Sequence, residues 1–426
     1  MSLEIAKKKD SLDSLQPYRM QFHFPKTEFG DDYLYFCGNS LGLQPKNTAH
    51  IVQQELLKWQ NLGVEGHFTD PLPWVSYHKN VETPLAKLVG AMGTEVVAMN
   101  ALTVNLHLLL LSFYTPTANK FKIVLERNAF PSDHYAIQSQ IDFYLKKGVL
   151  SKEQAQSALL YIEPDDWGVY GTGKIKDALM DSEIALVLLS GVNYQTGEVF
   201  DIQNIASYVH AKNALFGVDL AHAIGNVELQ LHTWQIDFAV WCNYKYLNGG
   251  PGAVGGAFVH QKHLKNNELA KLQGWWSNKE ENRFQMHHTL DPYQTAEAWQ
   301  MSNAPVLSLA ALLGSLELFD KIELKDYFYK GQELSSFLVN CLKSELPHLK
   351  IVTPLEQKGC QISIYIENKD KRFIDELRSN GVIADWRNHA KGGILRVAPV
   401  PLYNSFTDCW QFVTILKRVL ENKNSL

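Results

Sequence analysis

The run Phe238-Ala239-Val240-Trp241-Cys242 leads into Asn243-Tyr244-Lys245-Tyr246-Leu247-Asn248-Gly249-Gly250-Pro251-Gly252, an apolar segment that closes on one lysine and a glycine-rich turn. A strand ending this way holds an amine at the mouth of a site with little side-chain bulk around it. Such an amine becomes a useful nucleophile once burial or a neighbouring cation lowers its pKa, and its usual covalent partner is a carbonyl compound. Taken alone, the same lysine is equally an ordinary solvated residue beside a turn. Its company along the chain decides its meaning.

Working outward, short apolar or β-branched runs alternate with helical patterns. Strands are expected at Val96–Met99, Lys122–Leu125, Ala185–Leu189, Leu215–Val218, Phe238–Trp241 and Gly256–Val259, with helices such as Asp133–Lys147 and Ile202–Ala211 between them. This order predicts an α/β fold with a mainly parallel sheet covered by helices on both faces. Ligands of such sheets bind beyond the carboxyl ends of the strands, so residues just after each run carry the most weight. Beyond Pro305 the texture changes to a long apolar helix (Val306–Phe319), further helices and two strands, Cys360–Ile366 and Gly393–Val397, which reads as a smaller α+β domain. The expected organisation is an N-terminal arm over residues 1–50, a large domain over 51–305 and a small C-terminal domain over 306–426. The segment Glu65–Trp74 contains Pro71 and Pro73 and reads as a loop.

Composition narrows the function classes. The 426 residues, 46% hydrophobic and 20% charged, suit a soluble globular protein of two or three domains. A net charge of -5 without a basic stripe argues against nucleic-acid binding. The N-terminal MSLEIAKKKD lacks the core of a secretory signal and no run reaches the roughly 18 apolar residues of a membrane span, so a cytoplasmic location is expected. Five scattered cysteines without a CxxC pair signal neither disulfides nor zinc, and fifteen histidines without HExxH spacing signal no metal.

The residues after the strands supply the chemistry. In Asn100-Ala101-Leu102-Thr103-Val104-Asn105, Thr103 reads as an N-cap before a helix whose free N–H groups would hold a phosphate. In Phe130-Pro131-Ser132-Asp133, Phe130 offers a face for a pyridine ring, while Asp133 is either part of that site or a favourable charge in a first helical turn. Asp219 ends a strand and His222 follows it, and Lys245 ends the next strand. A carboxylate against a pyridine nitrogen keeps that nitrogen protonated, and the positive ring then accepts the electrons of a carbanion. Arg396, in Leu395-Arg396-Val397-Ala398-Pro399, sits in an apolar strand and demands either a substrate carboxylate or a structural ion pair.

With these residues and the strings Phe36-Cys37-Gly38-Asn39-Ser40-Leu41-Gly42, Phe130-Pro131-Ser132-Asp133-His134-Tyr135 and Val218-Asp219-Leu220-Ala221-His222-Ala223 assembled, the chain resembles the kynureninase family over nearly its whole length. These are pyridoxal 5'-phosphate enzymes of the aspartate-aminotransferase superfamily. The resemblance implies fold type I with a seven-stranded sheet. It implies Lys245 as the Schiff-base lysine, Asp219 as partner of the pyridine nitrogen and Phe130 as the ring-stacking residue. Asp133 and His222 would lie close to the cofactor. Leu102, Thr103, Ser190 and Tyr244 would hold it, with Thr103 and Tyr244 at the phosphate. Arg396 would bind the substrate α-carboxylate, with Ser40 beside the substrate. Trp275 and Asn303 would reach the site from the second subunit of a homodimer, and His67 with Asn303 would face the substrate ring and favour 3-hydroxykynurenine. The implied reaction is hydrolytic Cβ–Cγ cleavage of an L-kynurenine to L-alanine and an anthranilate, with Tyr244 as proton donor. The alternative on the same fold is a cysteine desulfurase-like lyase, which takes up sulfur on a mobile-loop cysteine. Cys360, opening a strand, and Cys409, in the terminal helix, do not read as one.

Overall fold

The computed structural model describes residues 1–390 and 392–421. Its centre is a seven-stranded sheet of β1 (Val96–Ala98), β2 (Lys122–Glu126), β3 (Leu159–Ile162), β4 (Ile184–Ser190), β5 (Leu215–Asp219), β6 (Phe238–Cys242) and β7 (Gly255–Val259), in spatial order β1-β7-β6-β5-β4-β2-β3. From β6 to β3 neighbouring strands pair in parallel, and β7 runs antiparallel to both β6 and β1. The strands are apolar along their length because both faces are covered. Val124, Val187, Val218 and Trp241 point into one core with Ile205 and Val209 of the helix Ile202–Ala211. Ile123, Leu125, Leu188 and Val240 point into a second with Leu109 and Ile137, from the helices Leu102–Phe113 and Pro131–Lys146.

The strand runs expected from the sequence fall on strands with ends shifted by a residue or so, and Ile202–Ala211 is helical over the expected span. β3 was not legible as a strand. It lies at the sheet edge with Leu159, Leu160 and Tyr161 half-buried, and it follows the short helix Lys152–Ser157 without a turn signal.

The C-terminal residues build a four-stranded antiparallel sheet around the pair Ile362–Glu367 and Gly392–Val397, flanked by Asp385–His389 and Lys350–Ile351. Helices Leu324–Glu345 and Phe406–Glu421 pack on it. The N-terminal stretch, which shows little periodicity, nevertheless contains the helix Leu3–Ser11, capped by Ser2 and packed through Ala6 into this same C-terminal core. Leu34–Tyr35 pairs in parallel with Val382–Ile383, and Cys37 bridges to Ala398. Residues 34–42 are thereby carried from the second sheet across to the end of β6, where the Gly42 N–H donates to the Tyr244 carbonyl at 2.8 Å. Gly42 has to be glycine there, because a Cβ would come within 2.4 Å of the Lys245 carbonyl oxygen. The expected loop at 65–74 is irregular over residues 68–73, which include both prolines, and is bounded by short 3-10 turns at Gly63–His67 and Trp74–Ser76.

Candidate active site

β2, β4, β5 and β6 end side by side, and the last residues of β4, β5 and β6, with segments that follow the strands, surround a cavity of about 250 Å³. Ser40, Leu102, Thr103, Phe130, Asp133, Ser190, Asp219, His222, Tyr244, Lys245 and Arg396 all line it. Residues from seven separate stretches of the chain thus meet at one point, at the carboxyl end of the sheet.

Two helices begin at this cavity. The helix Leu102–Phe113 has Ala101 at its cap position, with no side-chain cap bond, so Thr103 does not cap it, contrary to the reading from sequence. Thr103 sits two residues further in, and its hydroxyl lies 2.9 Å from that of Ser132, at the start of Pro131–Lys146. Two helix N-termini and two hydroxyls therefore converge, which is a phosphate-binding arrangement. The backbone is drawn tight here: Asn100 takes a positive φ of 47°, and a Cβ on Gly255 would lie 3.1 Å from the Leu102 nitrogen. The turn Gly249-Gly250-Pro251-Gly252 does not border the cavity. Its glycines serve the backbone, Gly250 and Gly252 at positive φ.

The floor is acidic. Asp219 accepts from the Ala221 N–H at 2.7 Å and touches the Asp133 carboxyl, both groups being buried. Burial pushes both above the usual carboxylate range, and Asp133 further because Asp219 and Glu126 are beside it. Like charges this close are not both ionised in a dry site, so Asp133 keeps a proton and Asp219 receives its hydrogen bond. Burial, then the charges of Lys245 and Arg396, holds His222 well below its ordinary value, so the ring is neutral. Lys245 Nζ lies 2.9 Å from His222 Nε2, which accepts from the amine and leaves Nδ1 buried with no partner. Burial also raises the Tyr244 hydroxyl, which contacts the Cys242 thiol.

On the opposite wall Arg396 is 1% exposed and donates to the Tyr194 carbonyl at 2.5 Å and to Asp385. Asp385 also accepts from Arg387 at 2.7 Å. One carboxylate facing two guanidiniums leaves a surplus of positive charge, and Arg396 Nε is buried without a partner. The structural ion pair and a free valence for an anion coexist in this one residue. The register Asp385↔Arg396 makes the pairing, and nothing in the sequence of either strand alone announced it. Glu126, Tyr194 and Arg387 are further residues that the sequence reading missed. For Glu126 a signal existed, since it too closes a strand.

His67, Trp275 and Asn303 do not reach this cavity. His67 is linked to the other two only through intervening aromatic residues. His67 meets Trp74 edge-on at 5.2 Å, and Trp74 and Asn303 line a separate cavity of about 410 Å³. Trp275 stacks edge-on with Phe284, which meets Phe68. Trp59, Phe68, Trp275 and Phe284 are all exposed, at 62%, 58%, 49% and 46%.

An orphaned carboxyl oxygen on Asp133, an orphaned imidazole nitrogen, and an amine and a half-exposed phenyl ring lining one cavity, with a two-helix anion cradle, fit a phosphorylated pyridine aldehyde. Comparison with known proteins agrees. Residues 329–416 match the family model for the kynureninase C-terminal domain. The kynureninase of Flavobacterium psychrophilum is 43% identical over 99% of both chains, and that of Myxococcus xanthus is 44% identical over 98% of this chain and 97% of its own. The chain belongs to the kynureninase family. Kynureninases are pyridoxal-phosphate-dependent hydrolases that cleave a Cβ–Cγ bond, and the fold is the type I fold of that cofactor class. A solved cysteine desulfurase, CsdA of Escherichia coli, shares it with a TM-score of 0.75 at 14% identity, covering 96% of this chain and 98% of its own. Cys242 borders the cavity, but it is a buried strand residue whose thiol is pushed up by burial, and Cys37, Cys341, Cys360 and Cys409 are buried as well. No described cysteine has the exposed, thiolate-favouring setting that sulfur uptake needs.

Proposed function

We propose that this protein hydrolyses L-kynurenines with a preference for the 3-hydroxylated substrate, in a site completed by a second copy of the chain. Pyridoxal phosphate, when bound, supplies an electron sink for charge developing on the substrate carbons. Lys245 holds the cofactor and then moves the Cα proton, its amine aimed by His222. Asp219 faces the pyridine nitrogen, with Asp133 protonated beside it. Thr103 and Ser132 hold the phosphate, and Phe130 covers the ring. Arg396 takes the substrate carboxylate, the surplus charge shared with Arg387 favouring an anion, and Ser40 closes that side. Tyr244, kept protonated by burial, returns a proton to the product carbon.

The substrate preference rests on His67. Its Nδ1 lies 3.0 Å from the Val64 carbonyl, which can only accept, so Nδ1 carries the hydrogen and Nε2 remains an acceptor. An acceptor there suits a ring hydroxyl, and a site built to bond that hydroxyl discriminates against its absence. The exposure of Trp275 and Asn303, and the exposed Phe68 beside His67, support the delivery of these residues to the cavity of a partner subunit. The boundary after residue 305 is proposed as the division between the large and small domains. The test is kcat/KM on both kynurenines. Equal or better turnover of the unsubstituted compound defeats the preference, and full activity in a demonstrated monomer defeats the shared site.

A further inference from the structure

Glu126, Ser190 and Asp219 form a row at the carboxyl ends of the neighbouring strands β2, β4 and β5. Ser190 is the register partner of Asp219. The Glu126 carboxyl accepts from the Ser190 N–H at 3.1 Å and 3.4 Å and also receives the Ser190 hydroxyl. Ser190 and Asp219 line the cavity, whereas Glu126 is fully buried behind them and does not. An acid placed so deep, against a hydroxyl and an N–H rather than a cation, is expensive to keep charged. The catalytic roles given above make no use of it.

We propose that Glu126 is a positioning residue of the cofactor site, whose protonation state sets whether the Ser190 hydroxyl donates to, or accepts from, the bound cofactor. The inference rests on reading this cavity as the pyridoxal phosphate site. An ionised Glu126 can only accept, so it takes the Ser190 O–H and leaves lone pairs facing the cavity. A protonated Glu126 donates its own O–H to Ser190 Oγ, and the serine hydroxyl is then free to donate into the cavity. Burial, opposed by the two Ser190 donors, pushes the Glu126 carboxyl up to about 7, so both states are reached around neutrality. The titratable groups around it are Asp219 from β5, Asp133 from the helix Pro131–Lys146 and Tyr170 from the turn before Gly171–Ala178. Lys245 acts on both aspartates from β6.

The test reconstitutes the apoprotein with pyridoxal phosphate and follows the cofactor absorbance against pH in wild type, Glu126→Gln, Ser190→Ala and the double variant. Wild type is expected to show a spectral step at about pH 7 that Glu126→Gln, which cannot ionise, lacks. Ser190→Ala loses the same step, and the double variant matches Ser190→Ala, because the two residues act as one unit. Cofactor affinity in Glu126→Gln stays within about tenfold of wild type, since the amide still bonds Ser190. Persistence of the step in Glu126→Gln, or additive shifts in the double variant, overturns the proposal while leaving the cofactor reading in place. Should Glu126→Gln not fold, Ser190→Ala decides by itself, a retained step counting against. A wild type that takes up no pyridoxal phosphate removes the cofactor reading and the proposal with it.

Discussion

Two buried aspartates mark the two ends of the same sheet. Asp219 closes β5 at the carboxyl edge, and Asp237 precedes β6 at the opposite edge. Both are almost inaccessible, at 6% and 1% exposure, yet their surroundings are opposite. Asp237 accepts from His263 at 2.7 Å, Lys262 at 2.8 Å, His210 at 2.9 Å and the Phe216 N–H at 2.7 Å. Burial works against its charge, but these donors overcome it and hold the carboxyl below its usual range. Burial lifts Asp219 above that range, and the Ala221 N–H, the charge of Lys245 and the hydrogen bond from Asp133 offset it only in part. The sheet surrounds one acid with cations at the edge away from the cavity and sets the other beside a second acid at the edge that borders it.

The most severe way to probe the contrast is Lys245→Ala. Turnover should fall by about 10³-fold or more, measured as anthranilate or 3-hydroxyanthranilate release, while the urea midpoint of the apoprotein does not drop. Exchanging the two acids comes next. Asp219→Asn should lower kcat/KM by about 10²-fold without loss of apoprotein stability, because it removes a buried charge while the amide oxygen still accepts from the Ala221 N–H. Asp237→Asn should cost about 2 kcal/mol in urea unfolding and leave kcat within about twofold, because it strands buried donors away from the cavity. Reversed outcomes would erase the distinction.

Acid titration sharpens the same comparison. A depressed carboxyl such as Asp237 contributes stability that is present above the unfolded-state value near ~4 and is lost as the pH falls through the lower folded value. The raised Asp133 and Asp219 act in the opposite sense, their contribution being present below ~4 and lost as the pH rises through their folded values. Unfolding of Asp237→Asn should therefore show a flatter dependence below about pH 4 than wild type. The smallest effect is assigned to Arg387→Ala. Arg387 is 38% exposed in its side chain, so its removal should raise KM only about threefold, whereas Arg396→Lys, at the buried position, raises it more.

Much of the site was readable because strand ends are readable. Apolar runs stop at Ser190 and Asp219, Lys245 follows three residues after Cys242 closes β6, and in a parallel sheet such stops converge on one edge. What stayed hidden depends on pairing between distant segments. Asp385 and Arg387 alternate with Trp386 and Asn388 in a strand of mixed polarity, and their role appears only when the register sets Asp385 against Arg396. Thr103 was misread because cap preference is a local tendency, and the backbone placed Ala101 at the cap instead.

The amino-acid sequence by itself determined the alternation of strands and helices and the family, and it singled out Lys245, Asp219 and Arg396 as candidates. Those follow from periodicity and residue type, which are local. Only the tertiary structure decided that Glu126 lies behind Ser190, that Asp385 is shared by two arginines, and that His67, Trp275 and Asn303 stay outside the cavity that Lys245 lines. These are contacts across large sequence separations, and their geometry is set by the sheet order and register rather than by any residue's own preference.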